Sequence, residues 1–348
     1  MRTPEAVAAQ QKSSSRDVLA DAIKRRHAIL FVGAGVSMAV GLPSWQSLVD
    51  HLLKELDLSP DVIDGMNDGY QMLAELYRLK QGGMGSLRSW LDRNWKVAAD
   101  RVAKSQLHKL IVELDFPTIY TTNYDRNLET AFEVHKKPYA KIANAKQMAD
   151  AADGVTHIVK YHGDFDDDAS LVLTETDFLD RLSFDSPLDI KFRADALGRT
   201  ILFIGYSMSD PNVRLLLHGI WQTWERSGHR DHRPRSFVFM PTSNPVQEAM
   251  LARWEITLLT PERGACADDA LTGAELRSLV DMGKNGRRNS AYPKHRDARY
   301  NQAPLQSLSG FARQPLHRQA SRRRLPARSL LRLGGIWAAS IAGSATVL

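Results

Sequence analysis

The segment Ala28-Ile29-Leu30-Phe31-Val32-Gly33-Ala34-Gly35-Val36-Ser37 joins five apolar residues to a glycine-rich turn. This pattern indicates a buried strand that leads directly into a helix. Three further apolar runs, 116–120, 156–159 and 200–204, are followed by Thr121-Thr122-Asn123-Tyr124-Asp125, Lys160-Tyr161-His162-Gly163-Asp164 and Gly205-Tyr206-Ser207-Met208-Ser209-Asp210. Ligands of open α/β sheets bind beyond the carboxyl ends of the strands. The four segments therefore predict a single site at one edge of a sheet.

From residue 116 onward, strand-like patterns alternate with helix-like ones. Strands are predicted at 116–122, 156–161, 170–174, 200–205, 236–240 and 255–260, and helices at 125–134, 145–152, 176–183, 187–197, 211–225 and 245–253. Such alternation is typical of an α/β fold, here a Rossmann-like parallel sheet with flanking helices. A first helix is predicted over 15–26, and the helical patterns of 51–113 predict a helical insertion.

The 348-residue chain contains one cysteine, Cys266, which excludes a disulfide framework and a multi-cysteine zinc site. A single cysteine suits a reducing compartment, and the polar stretch 3–16 is not followed by the apolar core of a secretory signal. We therefore expect a cytoplasmic protein without a zinc module.

The net charge of +6 is unevenly distributed. Residues 265–348 carry 14 basic and five acidic side chains, a net charge of +9, whereas residues 1–264 carry a net charge of −3. The C-terminal segment also loses helical and strand periodicity, which predicts a basic tail of low order beyond a globular domain, 1–264. Nucleic acid is expected to bind only through this tail. The uncharged run 333–348 is short for a membrane span, although membrane association stays an alternative.

The glycine turn at Gly33 and Gly35 admits two interpretations. Backbone N–H groups there could approach a phosphate closely, or the turn could simply connect a strand to a helix. Met38 stands where a dinucleotide-binding fingerprint has its third glycine, and no acidic residue ends a second strand some 20 residues later. A hydride-transfer enzyme is therefore disfavoured.

Asn123 and His162 are the candidate polar groups of the site. An asparagine can hold a ribose hydroxyl, an amide or a water, or it can cap the helix that follows. A histidine at a strand end can act as a general base, or it can make only a local hydrogen bond. Asp125 is interpreted as a cap or a holder of neighbouring loops. The acidic run Asp164–Asp168 lacks the pattern of a calcium loop and is interpreted as a solvated turn, so no metal site is predicted.

These motifs resemble the sirtuin superfamily, and most closely its prokaryotic sirtuin-like branch. The matching segments are Gly33–Ser37, Thr121–Asp125, His162-Gly163 and Gly205-Tyr206-Ser207 with Asp210-Pro211. The resemblance covers about 28–262 and does not reach the tail. The chain lacks the four zinc-binding cysteines of deacylase sirtuins and their Phe-Gly-Glu segment after His162, and Ser44-Trp45-Gln46 replaces their Asp-Phe-Arg.

The resemblance implies hydrolysis of NAD⁺ to nicotinamide and ADP-ribose by a regulated antiphage effector. It implies catalytic roles for Asn123 and His162. The residues it implies for NAD⁺ binding are Gly33, Ala34, Gly35, Ser37, Asn123, Asp125, Gly205, Tyr206 and Ser207. It also implies a homo-oligomer or a defence partner, such as an Argonaute-like protein, a hexameric ATPase or a signal-producing protein. A non-catalytic sensor of NAD⁺ or ADP-ribose and a protein deacylase or ADP-ribosyltransferase stay as alternatives.

Overall fold

A computed structural model of the chain describes residues 15–63, 69–167, 170–208, 210–240, 245–260 and 276–281. Within them, a seven-stranded sheet has the order β3-β4-β2-β1-β5-β6-β7, and every neighbouring pair is parallel. The strands are β1 (Ala28–Val32), β2 (Thr118–Thr121), β3 (Tyr139–Ile142), β4 (Thr156–Lys160), β5 (Thr200–Ile204), β6 (Ser236–Phe239) and β7 (Ile256–Leu259). The Rossmann-like parallel sheet expected from the sequence is confirmed.

The helices cover both faces of the sheet and form the insertion. They are α1 (15–24), α2 (Ala34–Met38), α3 (Trp45–Glu55), α4 (Gly69–Gln81), α5 (Gly85–Asn94), α6 (Ala99–Lys104), α7 (Gln106–Leu114), α8 (Asn127–Val134), α9 (Ala145–Asp150), α10 (Glu175–Asp180), α11 (Pro187–Gly198), α12 (Pro211–Ser227), α13 (Pro245–Arg253) and α14 (276–281). Short 3₁₀ turns lie at Pro60–Ile63, Arg181–Ser183 and Arg230–His232. The expected helical insertion is present as several separate helices.

Strand β1 lies at the centre of the sheet and shows why its sequence is apolar throughout. Leu30 packs into a core layer with α1 and α7, whereas Ile29 and Phe31 pack into the opposite layer with α11 and α12. Side chains alternate between the faces of a strand, and a strand covered on both faces is apolar at every position. A third apolar cluster joins α3, α4 and α5 to the loops after β2 and β4.

The sheet changes direction at β1. The chain leaves β1 toward β2, β4 and β3 on one side, and it later returns to β5 on the other side. Such a topological switch point opens a crevice between the loops that follow the two central strands. The glycine segments at 33–37 and 205–208 therefore face each other.

The strands of the structure differ from the predicted strands in two places. Residues 171–173 form no strand, because this segment is an extended loop that ends at Thr174, the capping residue of α10. Strand β3 was not predicted, since Tyr139, Ala140 and Lys141 are only half-buried at the edge of the sheet. Edge strands lack the continuous apolar pattern of central ones.

Part of the C-terminal segment is ordered. Residues 276–281 form α14, and Leu276, Leu279 and Val280 are buried in the core cluster that contains α1. The other residues of the predicted tail, 265–348, lie outside the described ranges. In the described part of the chain, no helix is long and apolar enough to cross a membrane.

Candidate active site

The two glycine turns are in direct backbone contact. The Gly33 N–H donates to the Ile204 carbonyl and the Gly35 N–H donates to the Gly205 carbonyl, both at 2.9 Å. A Cβ atom on Gly33 would lie 2.3 Å from the Gly205 carbonyl oxygen, and Gly205 has a φ of +62°. Both glycines are therefore needed for the approach of the β1 and β5 loops, and these two N–H groups already have partners within the protein.

Asn123 connects the loop after β2 to the glycine turn. Its side-chain Nδ2 donates to the Gly33 carbonyl and to the Ser37 hydroxyl, each at 3.1 Å, and its backbone N–H donates to Thr121 Oγ1. The alternative that Asn123 caps the next helix is wrong, because α8 begins only at Asn127. Both amide hydrogens have partners, so Oδ1 is the atom that the side chain can offer to a ligand.

A buried ion pair, Lys160 and Glu129, stabilises the loop after β2. The Lys160 ammonium donates to the backbone carbonyl of Asp125 and lies 3.5 Å from Glu129 of α8. Both side chains are at most 1% exposed. Burial raises the pKa of Glu129, against the opposing effect of Lys160. Asp125 Oδ1 accepts from the Asn127 N–H, so the expected structural role of Asp125 is confirmed.

His162 lies in the first turn after β4, and its ring is almost enclosed. The ring packs edge-on against Phe178, with centroids 5.3 Å apart. The next residue, Gly163, has a φ of +91°, and a Cβ there would lie 2.2 Å from the Ser170 carbonyl oxygen. The His-Gly pair is therefore a steric requirement of this turn as well as a chemical feature.

Asp210 joins His162 to the N-terminus of α12. Its Oδ1 accepts from the backbone N–H groups of Asn212 and Val213, so Asp210 caps α12. Its Oδ2 lies 3.0 Å from His162 Nε2. Burial opposes ionisation of Asp210, but the contact with His162 and the two N–H donors together hold its pKa below the usual range. The contact with His162 could not be found from the sequence, where Asp210-Pro211 indicates only a helix start.

The remaining predicted binding residues differ in accessibility. Tyr206 packs on Phe31 with ring centroids 4.9 Å apart and is buried, so its side chain belongs to the core. Ser207 and Gly35 are exposed and Ala34 is half-exposed at the β1–β5 crevice.

A shallow cavity adjoins Asn123 where the helical insertion meets the sheet edge. Its lining consists of Ala34, Met38, Leu42, Pro43, Trp45, Trp95, Asn123, Tyr124 and Asp125. Trp45 and Trp95 are in edge-to-face contact, and Trp45 also contacts Tyr124. The lining of the cavity is thus mostly apolar with a polar end.

The acidic segment after His162 is more ordered than a solvated turn. Asp164 is 1% exposed and contacts Lys141 at 2.9 Å, and Lys141 also binds Asp166. The interpretation as a solvated turn is therefore wrong for Asp164. Among the residues that the structure describes, no group of histidine, cysteine or acidic side chains is arranged to hold a metal ion.

The residues of this site lie in a segment that is similar to a known protein domain. Residues 117–259, which include Asn123, His162 and Asp210, match the family model of the SIR2-like domain. Over these residues the chain is therefore similar to the SIR2-like domain, and the sirtuin-like resemblance expected from the motifs is confirmed.

Curated relatives fall in the same group. The chain is 34% identical over 205 residues to the NAD(+) hydrolase ThsA of Enterococcus faecium, an alignment that covers 58% of this chain and 41% of that protein. It is 29% identical over 214 residues to the NAD(+) hydrolase ThsA of Bacillus cereus strain MSX-D12, covering 60% and 43%. It is 27% identical over 233 residues to the defense-associated sirtuin 2 of Bacillus subtilis, covering 65% and 22%. The chain therefore matches less than half the length of these relatives.

Proposed function

We propose that this chain is an NAD⁺ hydrolase that cleaves the bond between nicotinamide and ribose. The observation that carries the proposal is the position of Asn123 and His162 on loops that contact the β1–β5 switch point within a SIR2-like domain. The names of the ThsA relatives support the same activity. A hydride-transfer enzyme stays disfavoured, because the dinucleotide-binding fingerprint is not intact.

The proposed chemistry needs few groups. Cleavage of a glycosidic bond passes through an oxocarbenium-like transition state. The positively charged nicotinamide ring takes the bonding electron pair and leaves as neutral nicotinamide, so no strong general acid is needed. Asn123 Oδ1 would position the ribose or the attacking water, and His162 would accept a proton. Positioning and general base catalysis each contribute roughly 10²–10⁴-fold in enzymes.

The NAD⁺ molecule would lie across the switch point. Gly33, Ala34, Gly35 and Ser37 would face its phosphates or ribose from the β1 side, and Gly205, Tyr206 and Ser207 from the β5 side. Because the N–H groups of Gly33 and Gly35 have internal partners, the contribution of those glycines is close approach rather than hydrogen bonding. Asp125 would act through its loop, next to Asn123.

The biological setting is part of the proposal. We infer a bacterial cytoplasmic effector of antiphage defence, whose depletion of NAD⁺ causes abortive infection once it is activated. The match to a defense-associated sirtuin supports this setting. A homo-oligomer or a defence partner would complete the active state, and an enzyme that destroys NAD⁺ would have to be inactive at rest.

Cellular NAD⁺ after phage challenge tests the proposal. We expect the intact chain to deplete NAD⁺ and release nicotinamide, and His162→Ala to abolish both. His229→Ala, which alters an exposed histidine after α12, is the matched control and should behave like the intact chain. Equal depletion by His162→Ala would exclude the proposed role of His162. Transfer of label from NAD⁺ to a peptide would instead indicate a deacylase or ADP-ribosyltransferase.

A further inference from the structure

We infer that Asp210 is a positioning residue that holds neutral His162 in the tautomer with hydrogen on Nε2, so that Nδ1 is the nitrogen that accepts a proton. The catalytic part of this inference rests on the proposed NAD⁺ hydrolase activity. The tautomer itself does not, since it is a property of the protein without substrate.

The geometry of the pair selects one nitrogen. His162 Nε2 lies 3.0 Å from Asp210 Oδ2, and the two side chains are only 6% and 10% exposed. Nε2 is enclosed and, apart from this contact with Asp210, has no hydrogen-bond partner among the described residues. Hydrogen bonds of catalytic groups are often poorly aligned before substrate binds. A carboxylate accepts and cannot donate, so it favours the hydrogen on the nitrogen that it faces.

The opposite nitrogen has the environment that a base needs. Nδ1 makes no hydrogen bond to the described residues and is not among the enclosed atoms, so it keeps contact with solvent. The His162 ring cannot easily turn over, because two other rings pack against it. Phe178 contacts it edge-on, and the Tyr161 ring stacks on it with centroids 5.7 Å apart. A histidine held in this way presents one fixed nitrogen to a substrate.

Asp210 is itself held by α12. Oδ1 accepts from two backbone N–H groups, those of Asn212 and Val213, at 2.9 and 3.2 Å. Only Oδ2 remains for His162, so the direction of the carboxylate is set by the helix. The first turn of α12 thereby determines the orientation of the base.

This arrangement makes Asp210→Asn a sharp test. Asparagine has one acceptor oxygen, and the two N–H groups of α12 would retain it because asparagine is as good a helix cap as aspartate. The amide NH₂ would then face Nε2 and donate to it, which forces the hydrogen onto Nδ1. Asp210→Ser is the matched control: serine also caps helices well, but its single short hydroxyl places no obligatory donor against Nε2.

The experiment records long-range ¹H–¹⁵N spectra of histidine-labelled full-length protein, at a pH where the His162 ring is neutral by its own signals. His162→Gln identifies the signal. We expect Nε2–H in the wild type, Nδ1–H in Asp210→Asn and no enforced reversal in Asp210→Ser. With NAD⁺, kcat of Asp210→Asn should fall about 10²–10⁴-fold while KM changes by no more than a few-fold.

The outcomes separate the inference from the proposed function. Nδ1–H in the wild type, or an unchanged tautomer in Asp210→Asn, overturns the inference. The wild-type spectrum alone decides the point should Asp210→Asn fail to fold. Spectra as expected, in a protein that hydrolyses no NAD⁺ under any condition, would leave the tautomer assignment standing and remove the hydrolase.

Discussion

At the scale of single residues, the site depends on polar side chains that join loops as much as they face a ligand. Asn123 bonds to the β1 loop, and His162 contacts the residue that begins α12. Each side chain therefore has one end committed to the protein and one end left for chemistry. A substitution of such a side chain should therefore change both the free energy of unfolding and the turnover of NAD⁺, and the two effects can be measured separately.

Asn123→Asp isolates the loop-joining role. The new carboxylate has nearly the same shape but cannot donate to the Gly33 carbonyl, which would face a negative charge at about 3.1 Å. We expect the free energy of unfolding to fall by about 1–3 kcal/mol and NAD⁺ turnover to fall by at least about 10²-fold. Urea unfolding and nicotinamide release measure the two effects. Wild-type stability would show that the bond to Gly33 contributes nothing.

Gly205→Ala tests the contact between the glycine turns. A Cβ there would meet the Val36 backbone nitrogen at 2.6 Å from a residue with φ of +62°. We expect a loss of roughly 2–4 kcal/mol in the free energy of unfolding, from strain and overpacking together. The matched control is Gly219→Ala inside α12, where a Cβ meets nothing within 4 Å. The control should be neutral or stabilise by about 0.5–1 kcal/mol, and equal effects of the two changes would contradict the account.

At the scale of secondary-structure elements, polar contacts attach the helical insertion to the loop that follows His162. Glu75 of α4 accepts from the Thr176 N–H at 3.0 Å, and Arg78 binds Asp177 at 3.1 Å. Arg88 of α5 donates to the Phe165 carbonyl. These contacts hold α10 over the His162 ring through Phe178.

Glu75 gives this attachment a pH dependence. Burial opposes ionisation, but hydrogen bonds from the Thr176 backbone and from Arg78 lower the pKa of Glu75 from 4.5 to about 2. A carboxyl group with a lowered folded-state pKa stabilises the protein above pH 4.5, and this contribution is lost as the pH falls toward 2. Glu75→Gln should therefore lower stability by about 1 kcal/mol at neutral pH and flatten the acid limb of the stability curve.

Denaturant unfolding between neutral pH and pH 2 measures this effect. Asp92→Asn, on the exposed side of α5, removes the same charge and serves as the control. An acid limb of wild-type steepness in Glu75→Gln would contradict the assignment.

The elements also show what the sequence could predict. Strand β1 is apolar at every position, and β5 at every position after Thr200, because both faces of each strand are covered. This pattern predicted both strands and the loops that follow them. The edge strand β3 is not predicted by the sequence pattern. The strand prediction at 170–174 is wrong, because burial under α4 and α5 gives this loop the apolar composition of a strand. Contacts such as that between His162 and Asp210 join residues far apart in the chain, so they depend on the packing of α12 and leave no mark in local sequence.

At the scale of the whole molecule, the C-terminal part contributes to the core. The described residues all belong to one compact unit. This unit includes α14, whose Leu276, Leu279 and Val280 are at most 5% exposed. The domain boundary at 264 stays a prediction, and the burial of α14 indicates that the globular unit extends past it.

Truncation tests where the globular unit ends. Removal of everything after Gly264 deletes α14 with its buried Leu276, Leu279 and Val280, and it exposes part of the core cluster in which they lie. Burial of each large apolar side chain contributes at most about 1.5–3 kcal/mol, so a loss of several kcal/mol is expected. Truncation after Tyr292 is the control and should retain wild-type stability. Thermal unfolding compares the two, and equal stability after both truncations would restore the boundary at 264.

The central claim is that Asn123 and His162 cleave NAD⁺, and turnover by purified protein tests it most directly. NAD⁺ binding and the release of nicotinamide and ADP-ribose are measured together, with and without extract from phage-infected cells. We expect equimolar products from the wild type, and at least about 10²-fold slower release by Asn123→Ala and by His162→Ala, which still bind NAD⁺. Binding by the wild type without any product under both conditions, or wild-type rates in both variants, would contradict it.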